Sequence, residues 1–175
     1  LEADAEALPF EAESFDVVAS TLGAMFGPRP GIVASELFRV ARPGGVVAMT
    51  NWTADSFSGR LSDVTAAFPP PFPLELPSPF LWGDADEVGR RFEGLAASVD
   101  SEPRSARFEF DSNEAGREFF AQLPPSLVVL KRMLSEDRYS ELRAASNALF
   151  DECARAVAGR VVLENSYLRV LARKA

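Results

Sequence analysis

The sequence predicts an α/β fold, and three observations predict it. An apolar run, an amphipathic segment and a second apolar run succeed one another within residues 15–50. A proline–glycine turn separates the second of these from the third. The last third of the chain adds stretches alternating apolar and polar residues, with a long amphipathic segment between them. Strand, helix, tight turn and strand make a βαβ unit, which implies parallel strands and a right-handed crossover.

The first strand is expected over residues 15–20, Phe-Asp-Val-Val-Ala-Ser, a run of the kind found in sheets buried on both faces. Pro30 stands where a helix can start, because its fixed φ and missing N–H are tolerated in the first turn. Val33, Leu37, Val40 and Ala41 follow at helical spacing, and Arg42-Pro43-Gly44-Gly45 ends the helix in a tight turn. A second buried strand is expected over residues 46–50, and a helix over 56–68. The prolines at 69, 70, 71, 73, 77 and 79 forbid helix and central strand alike. They predict a stiff loop whose Phe72, Leu74, Leu76, Phe80 and Trp82 either tuck beneath it or form a lid over a pocket.

Asp84 is placed to cap a short helix with Glu87 three positions on, and Gly94 closes that helix. Phe108 and Phe110 alternate with Arg107 and Glu109, which predicts a half-exposed strand over 106–110. Tyr139, Leu142, Leu149, Phe150, Cys153 and Val157 form the apolar stripe of a helix over 135–157. A last strand follows over 161–173. No internal repeat or linker divides the chain, so one domain spans 1–175, with segments 1–52, 53–100 and 101–175.

Composition excludes several function classes. At 175 residues and 47% hydrophobic content, the chain can bury a core without staples. A net charge of −8 repels phosphate backbones, so nucleic acid is not an expected partner. No apolar run approaches the ~18 residues of a membrane span, and no basic stretch precedes an apolar one at the start. A cytoplasmic protein with no membrane partner is the expectation. Histidine is absent, which removes Ser-His-Asp and Cys-His chemistry and His-ligated zinc. The single cysteine, Cys153, can form neither an internal disulfide nor a metal cage and reads as a packed thiol. No metal site is expected.

Three stretches carry a family resemblance. They are Asp4-Ala5-Glu6-Ala7-Leu8-Pro9-Phe10, Ser14-Phe15-Asp16-Val17-Val18, and Glu36-Leu37-Phe38-Arg39-Val40-Ala41-Arg42-Pro43-Gly44-Gly45. In this order and spacing they resemble the class I, Rossmann-like, S-adenosylmethionine-dependent methyltransferases of the small-molecule (type 11-like) branch. The resemblance covers residues 1 to about 52. It implies a Rossmann-like sheet of parallel strands plus a C-terminal antiparallel pair, with flanking helices. It also implies S-adenosylmethionine as cofactor and a small-molecule methyl acceptor. Trp52, the proline-rich loop (a lid or substrate insertion) and Leu81-Trp82-Gly83-Asp84 are similar to a subset of these enzymes of unassigned substrate.

By the resemblance, Asp4 accepts from the exocyclic adenine amine, and the Ala5 N–H donates to the neighbouring ring nitrogen. Ser20 and Thr21 leave the next strand on the same edge and approach the methionine part. Ligands of open α/β sheets sit off the carboxyl ends of the strands. Standing alone, Asp4 reads as a turn residue capping its own backbone. Met25 and Phe26 line the substrate side or pack a helix on the sheet. Trp52, Phe57 and Trp82 suggest a flat or apolar acceptor. Gly23, Gly27 and Gly31 lack the spacing of a dinucleotide fingerprint and read as loop glycines. No catalytic acid or base is singled out, since a sulfonium methyl needs positioning above all.

The sequence departs from the family at its start. Family members open with a strand, a glycine-rich turn, a helix and a second strand ending in an acidic residue, and these do not precede Leu1. The family's first strand lies beside the strand of residues 15–20, which is therefore expected as an unpaired edge, a known hazard. Either the protein is longer, or a homodimer joins through that edge. A non-catalytic remnant or partner-binding subunit is the alternative function. A nicotinamide-dependent oxidoreductase would fit the βαβ unit but not the Asp4–Phe10 loop.

Overall fold

A computed structural model describes residues 1–69, 76–122 and 124–175. Phe72 and Leu74 of the expected proline-rich loop lie outside them. The strands are β1 (Phe15–Thr21), β2 (Ala41–Trp52), β3 (Ala96–Phe110), β4 (Arg155–Val157) and β5 (Arg160–Lys174). The helices are α1 (Pro30–Val40), α2 (Phe57–Ala66), α3 (Ala85–Arg91), α4 (Asn113–Gln122), α5 (Pro125–Met133) and α6 (Glu136–Cys153). The strands join in the order β1-β2-β5-β3, with β4 against β5. The chain forms two compact units. One comprises Leu1–Ala54, Leu76–Arg104 and Tyr167–Ala175, and the other holds Ser105–Ser166 together with described residues from Asp55 on.

In the first unit, β1 and β2 run parallel, as the βαβ pattern requires. Phe15 pairs with Ala41 and Val17 with Val46, so residues 42–45 loop out between successive rungs. The expected tight turn is therefore a bulge inside β2, and Gly44 takes φ +72° there, a conformation open to glycine. β2 continues antiparallel to β5, from Val46 against Arg173 to Trp52 against Tyr167. Val47 and Met49 of β2 share a face with Leu168, Val170 and Ala172 of β5. That face packs against Val33, Leu37 and Phe38 of α1 and against Phe80, Trp82, Val88 and Phe92.

The second unit is built on aromatic packing. Phe57 and Leu61 of α2, Phe120 of α4, Leu127 and Leu130 of α5, Leu142, Leu149 and Phe150 of α6, and Leu163 form one cluster. Phe57 meets Phe120 at 4.7 Å between ring centroids, and Phe120 meets Phe150 at 6.0 Å. A Cβ on Gly116 would stand 2.1 Å from the Phe150 ring, so only glycine lets that ring reach α4. β4 pairs with β5 through a hairpin whose Ala158 and Gly159 both have positive φ, the signature of a tight primed turn.

Several expectations are corrected. β1 reads as buried on both faces, yet Val17 is 57% exposed and Phe15 is exposed too. As the terminal strand of the sheet order it has, among the described residues, only β2 for a neighbouring strand. Pro79 does not exclude helix: Pro79–Gly83 is a 3₁₀ turn with proline at its start, where no N–H is needed. The helix expected to reach residue 157 stops at Cys153, and residues 155–157 turn into β4. β3 begins ten residues before the expected 106, and α4 and α5 were not legible in the pattern.

Candidate functional site

The loop before β1 has little regular structure of its own. Asp4 accepts the Glu6 N–H on Oδ1 at 2.9 Å, and its carbonyl accepts the Ala7 N–H at 3.1 Å. This is an Asx-type turn, and it sets the direction of the exposed Asp4 carboxylate. The turn reading and the ligand reading of Asp4 are compatible. Its Oδ2 accepts no hydrogen bond among the described residues, and its charge acts on the Arg29 guanidinium.

Four charged side chains tie this loop to α1. Arg29, the N-cap residue of α1, makes no side-chain cap of its own. Glu6, with a side chain only 3% exposed, accepts the Arg29 backbone N–H on Oε1 and the Arg29 Nε on Oε2, both at 2.6 Å. A carboxylate at a helix N-terminus also meets the positive end of the helix dipole. One turn from the other end of α1, Glu36 and Arg39 share a face at i,i+3. Glu36 Oε2 accepts the Leu8 N–H at 2.8 Å. Arg39 donates Nε and Nη2 to the Glu36 carboxylate, Nη2 to the Leu8 carbonyl at 2.9 Å and Nη1 to the Phe10 carbonyl at 2.8 Å. The Arg39 hydrogen bond, aided by the Leu8 amide, holds the Glu36 carboxyl below its ordinary range against a smaller opposing effect of burial. Arg39 is pushed upward in turn.

Ala5, Leu8 and Phe10 of this loop line a cavity of about 400 Å³ together with Val18, Ser20, Ala24 and Leu37. Its walls are mainly apolar. Two sequence-predicted cofactor residues, Ala5 and Ser20, thus meet in one cavity although they come from separate segments. The Ser20 hydroxyl accepts the Ala24 N–H at 2.9 Å, which caps the 3₁₀ turn Ala24–Phe26 and keeps the hydroxyl proton free to donate. Thr21 is exposed at the end of β1 and pairs with Thr50.

The predicted substrate residues are not brought together as a set. Met25 is 1% exposed and packs in the first unit's core, whereas Phe26 beside it is 61% exposed. Trp82 is equally buried. The Arg91 guanidinium lies 4.5 Å from the Trp82 ring centroid, and the indole N–H has no hydrogen-bond partner among the described residues. The next residue, Gly83, sits so close to β2 that an added Cβ would stand 2.4 Å from the Trp52 carbonyl oxygen. Trp52 is half-buried, edge-on to Tyr167 at 6.1 Å. Phe57 belongs to the second unit's aromatic cluster. Met25, Trp82 and Phe57 are thus packing residues, because their rings and thioether are already covered by protein.

Sequence reasoning passed over Glu6, Arg29, Glu36 and Arg39. The i,i+3 spacing of Glu36 and Arg39 was the available signal for half of this set. It also passed over Asn51, which is fully buried with neither side-chain amide atom hydrogen-bonded among the described residues. A buried amide of that kind is normally satisfied by a ligand or an ordered water. Among the described residues, no cluster of three or more His, Cys, Asp or Glu could hold a metal, and no helix is long and apolar enough to cross a membrane.

Comparison with known proteins agrees with the loop. Residues 1–49 match the family model described as "Methyltransferase domain". An uncharacterized protein of Mycobacterium tuberculosis is 33% identical over 174 residues, which is 99% of this chain and 63% of the relative. The chain therefore spans about 63% of the length of the curated relatives it matches over its whole extent. A malonyl-[acyl-carrier protein] O-methyltransferase of Erwinia billingiae is 40% identical over 76 residues, 43% of this chain and 28% of that protein. Among solved structures, one from Bacillus halodurans C-125, provisionally classed as a methyltransferase, superposes with a TM-score of 0.53 at 16% identity. It covers 98% of this chain and 75% of its own. That likeness is one of fold.

Proposed function

We propose that this chain, which belongs in motif and fold with the class I, Rossmann-like methyltransferases, binds S-adenosylmethionine and takes part in methyl transfer to a small acceptor. The observation that carries the reading is the shared cavity of Ala5 and Ser20. Its volume and apolar walls suit a flat heteroaromatic ring, and the Asp4 carboxylate stands one residue away with an oxygen to spare for an amine. The Ala5 N–H would donate to the ring. Ser20 and Thr21, at the carboxyl end of β1, would face the amino-acid part, as in other open α/β sheets.

When bound, S-adenosylmethionine supplies a methyl group on a sulfonium, already a strong electrophile. The chain's own residues then bind, orient and exclude water. Aligning a nucleophilic atom with the methyl for in-line displacement replaces a bimolecular encounter by a held geometry. Half-buried Trp52 and exposed Phe26 are the aromatic surfaces left for a flat or apolar acceptor, and the Asn51 amide is a polar group at the same strand end.

Titration with S-adenosylhomocysteine by calorimetry tests this reading. The protein should bind it and not a nicotinamide dinucleotide. Asp4→Ala should weaken binding by about 1–3 kcal/mol, the scale for removing a charged hydrogen-bond partner. Unchanged affinity in that variant refutes the adenine placement. Binding of neither ligand would favour a non-catalytic, partner-binding role.

A further inference from the structure

We propose that Glu36 and Arg39 are positioning residues that hold the cofactor loop in its binding conformation before any ligand arrives. The inference rests on the cofactor reading above and deepens it. Neither side chain lines the cavity, so neither is offered as a group that touches ligand. What they touch is the backbone on both sides of Pro9, a residue that has no N–H of its own to anchor the loop.

The chemistry of the pair is specific. Arginine carries donors in a rigid fork, and here its hydrogen bonds use Nε, Nη1 and Nη2 at once: two on Glu36, one on the Leu8 carbonyl and one on the Phe10 carbonyl. Glu36 aims that fork and itself accepts the Leu8 amide. Leu8 is thus held by its N–H and its C=O together. Further on, the Glu13 N–H donates to the Arg39 carbonyl, a tie from the same helix position. Charge-assisted bonds of this kind are stronger than neutral ones, and the Glu36 side chain is only 15% exposed.

The held residues are those the site needs. Leu8 and Phe10 wall the cavity beside Ala5, and Leu37 of the same helix walls it from the other side. A loop with little regular structure would otherwise be ordered only on binding, at the expense of affinity. With α1 gripping it, the loop is ordered during folding. Lysine at 39 would keep the charge but offer one point of attachment in place of the fork.

The test compares the unaltered protein with Arg39→Lys and Glu36→Gln, both conservative enough to fold. S-adenosylhomocysteine affinity is measured by calorimetry, and amide exchange is followed residue by residue. Each variant should bind about tenfold more weakly. Exchange should quicken at Leu8, and added ligand should restore its protection. The β2 amides should quicken far less, by no more than the small loss of overall stability requires. Faster exchange at Leu8 with affinity unchanged would overturn the proposal. So would weaker binding accompanied by equally faster exchange in β2, which is the mark of general destabilisation. If the unaltered protein does not bind S-adenosylhomocysteine, the cofactor reading itself fails and takes this one with it.

Discussion

A loop of the first unit and the core of the second are held by different kinds of force. In the first, the loop proposed to hold the cofactor is fixed by charged side chains. Glu6, Glu36 and Arg39 reach backbone atoms at Arg29, Leu8 and Phe10, and the Arg29 guanidinium pairs with Glu6. In the second, α2, α4, α5 and α6 are joined by packed phenylalanine and leucine. The difference teaches where precision is placed. Apolar packing is non-directional and supplies stability, whereas directional, charge-assisted bonds fix a loop in one conformation. A ligand site on a loop needs the second kind.

The sharpest way to break this contrast is to attack the second unit. Phe150 is 1% exposed, meets three other rings edge-on or tilted (Phe57, Phe110 and Phe120), and presses on Gly116. Phe150→Ala should cost about 3–5 kcal/mol in urea unfolding, the range for emptying a core phenylalanine site. A loss under about 1 kcal/mol would mean that the cluster collapses around the gap and that packing there is loose.

The first unit has its own point of tight packing, and it is backbone against backbone. Gly83→Ala would drive a Cβ to 2.4 Å from the Trp52 carbonyl oxygen and 2.6 Å from the Thr53 Cα. No flexible side chain can give way there. The expected loss is about 1–3 kcal/mol, as for overpacking elsewhere, again read from urea unfolding. An unchanged midpoint would show that the 3₁₀ turn Pro79–Gly83 can lift away from the end of β2.

Acid titration addresses the charged side of the contrast. Arg39 lowers the Glu36 pKa in the folded chain from an ordinary value of 4.5. A carboxyl lowered on folding stabilises fully above its unfolded pKa, and that contribution is lost as pH falls through the folded value below it. Glu36→Gln should therefore cost about 1 kcal/mol at neutral pH and flatten part of the stability loss below pH 4.5. Glu87, lowered chiefly by Arg90, and Glu118, lowered chiefly by Gln122, should maintain the remaining slope. An acid limb superposing on that of the unaltered protein would mean that the Glu36 contacts add nothing to stability.

The contrast also explains what could be read from the sequence. Residues 15–50 were legible because periodicity and punctuation agreed: Pro30 starts α1, and Pro43-Gly44-Gly45 marks a break, which the fold takes as a bulge inside β2. The Asp84 cap was legible from one side chain and one spacing, and Asp84 does accept the Glu87 N–H at 2.8 Å. Helices α4 and α5 were not, because the apolar positions of α4 include exposed Phe119 and those of α5 include exposed Val128, Val129 and Met133, which blur any stripe. The site was half legible. Ala5 and Ser20 could be named from a motif, but nothing local shows that Met25 and Trp82 turn inward, since burial is settled by partners distant in sequence. The Glu36–Leu8 bond spans 28 positions and is invisible to any local rule.

Cys153 gives the smallest expected effect and sets the two forces against each other at one atom. It lies at the end of α6, partly buried against the second unit's cluster, with Arg60 Nη1 3.3 Å from its sulfur. Burial pushes the thiol pKa up, and the Arg60 charge pulls it down less strongly. Burial therefore wins, and the thiol should stay protonated at neutral pH. A small aromatic disulfide should modify it more slowly at pH 7–8 than a peptide thiol, whose pKa is about 8.5. Arg60→Met should slow the reaction further by removing the one nearby charge that favours thiolate. Cys153→Ala should cost no more than about 1 kcal/mol, the scale of a partly buried group of one heavy atom. Modification in the folded protein as fast as in a peptide would reverse the order of the two effects. It would mean that even at the margin of the aromatic cluster a single guanidinium outweighs apolar surroundings.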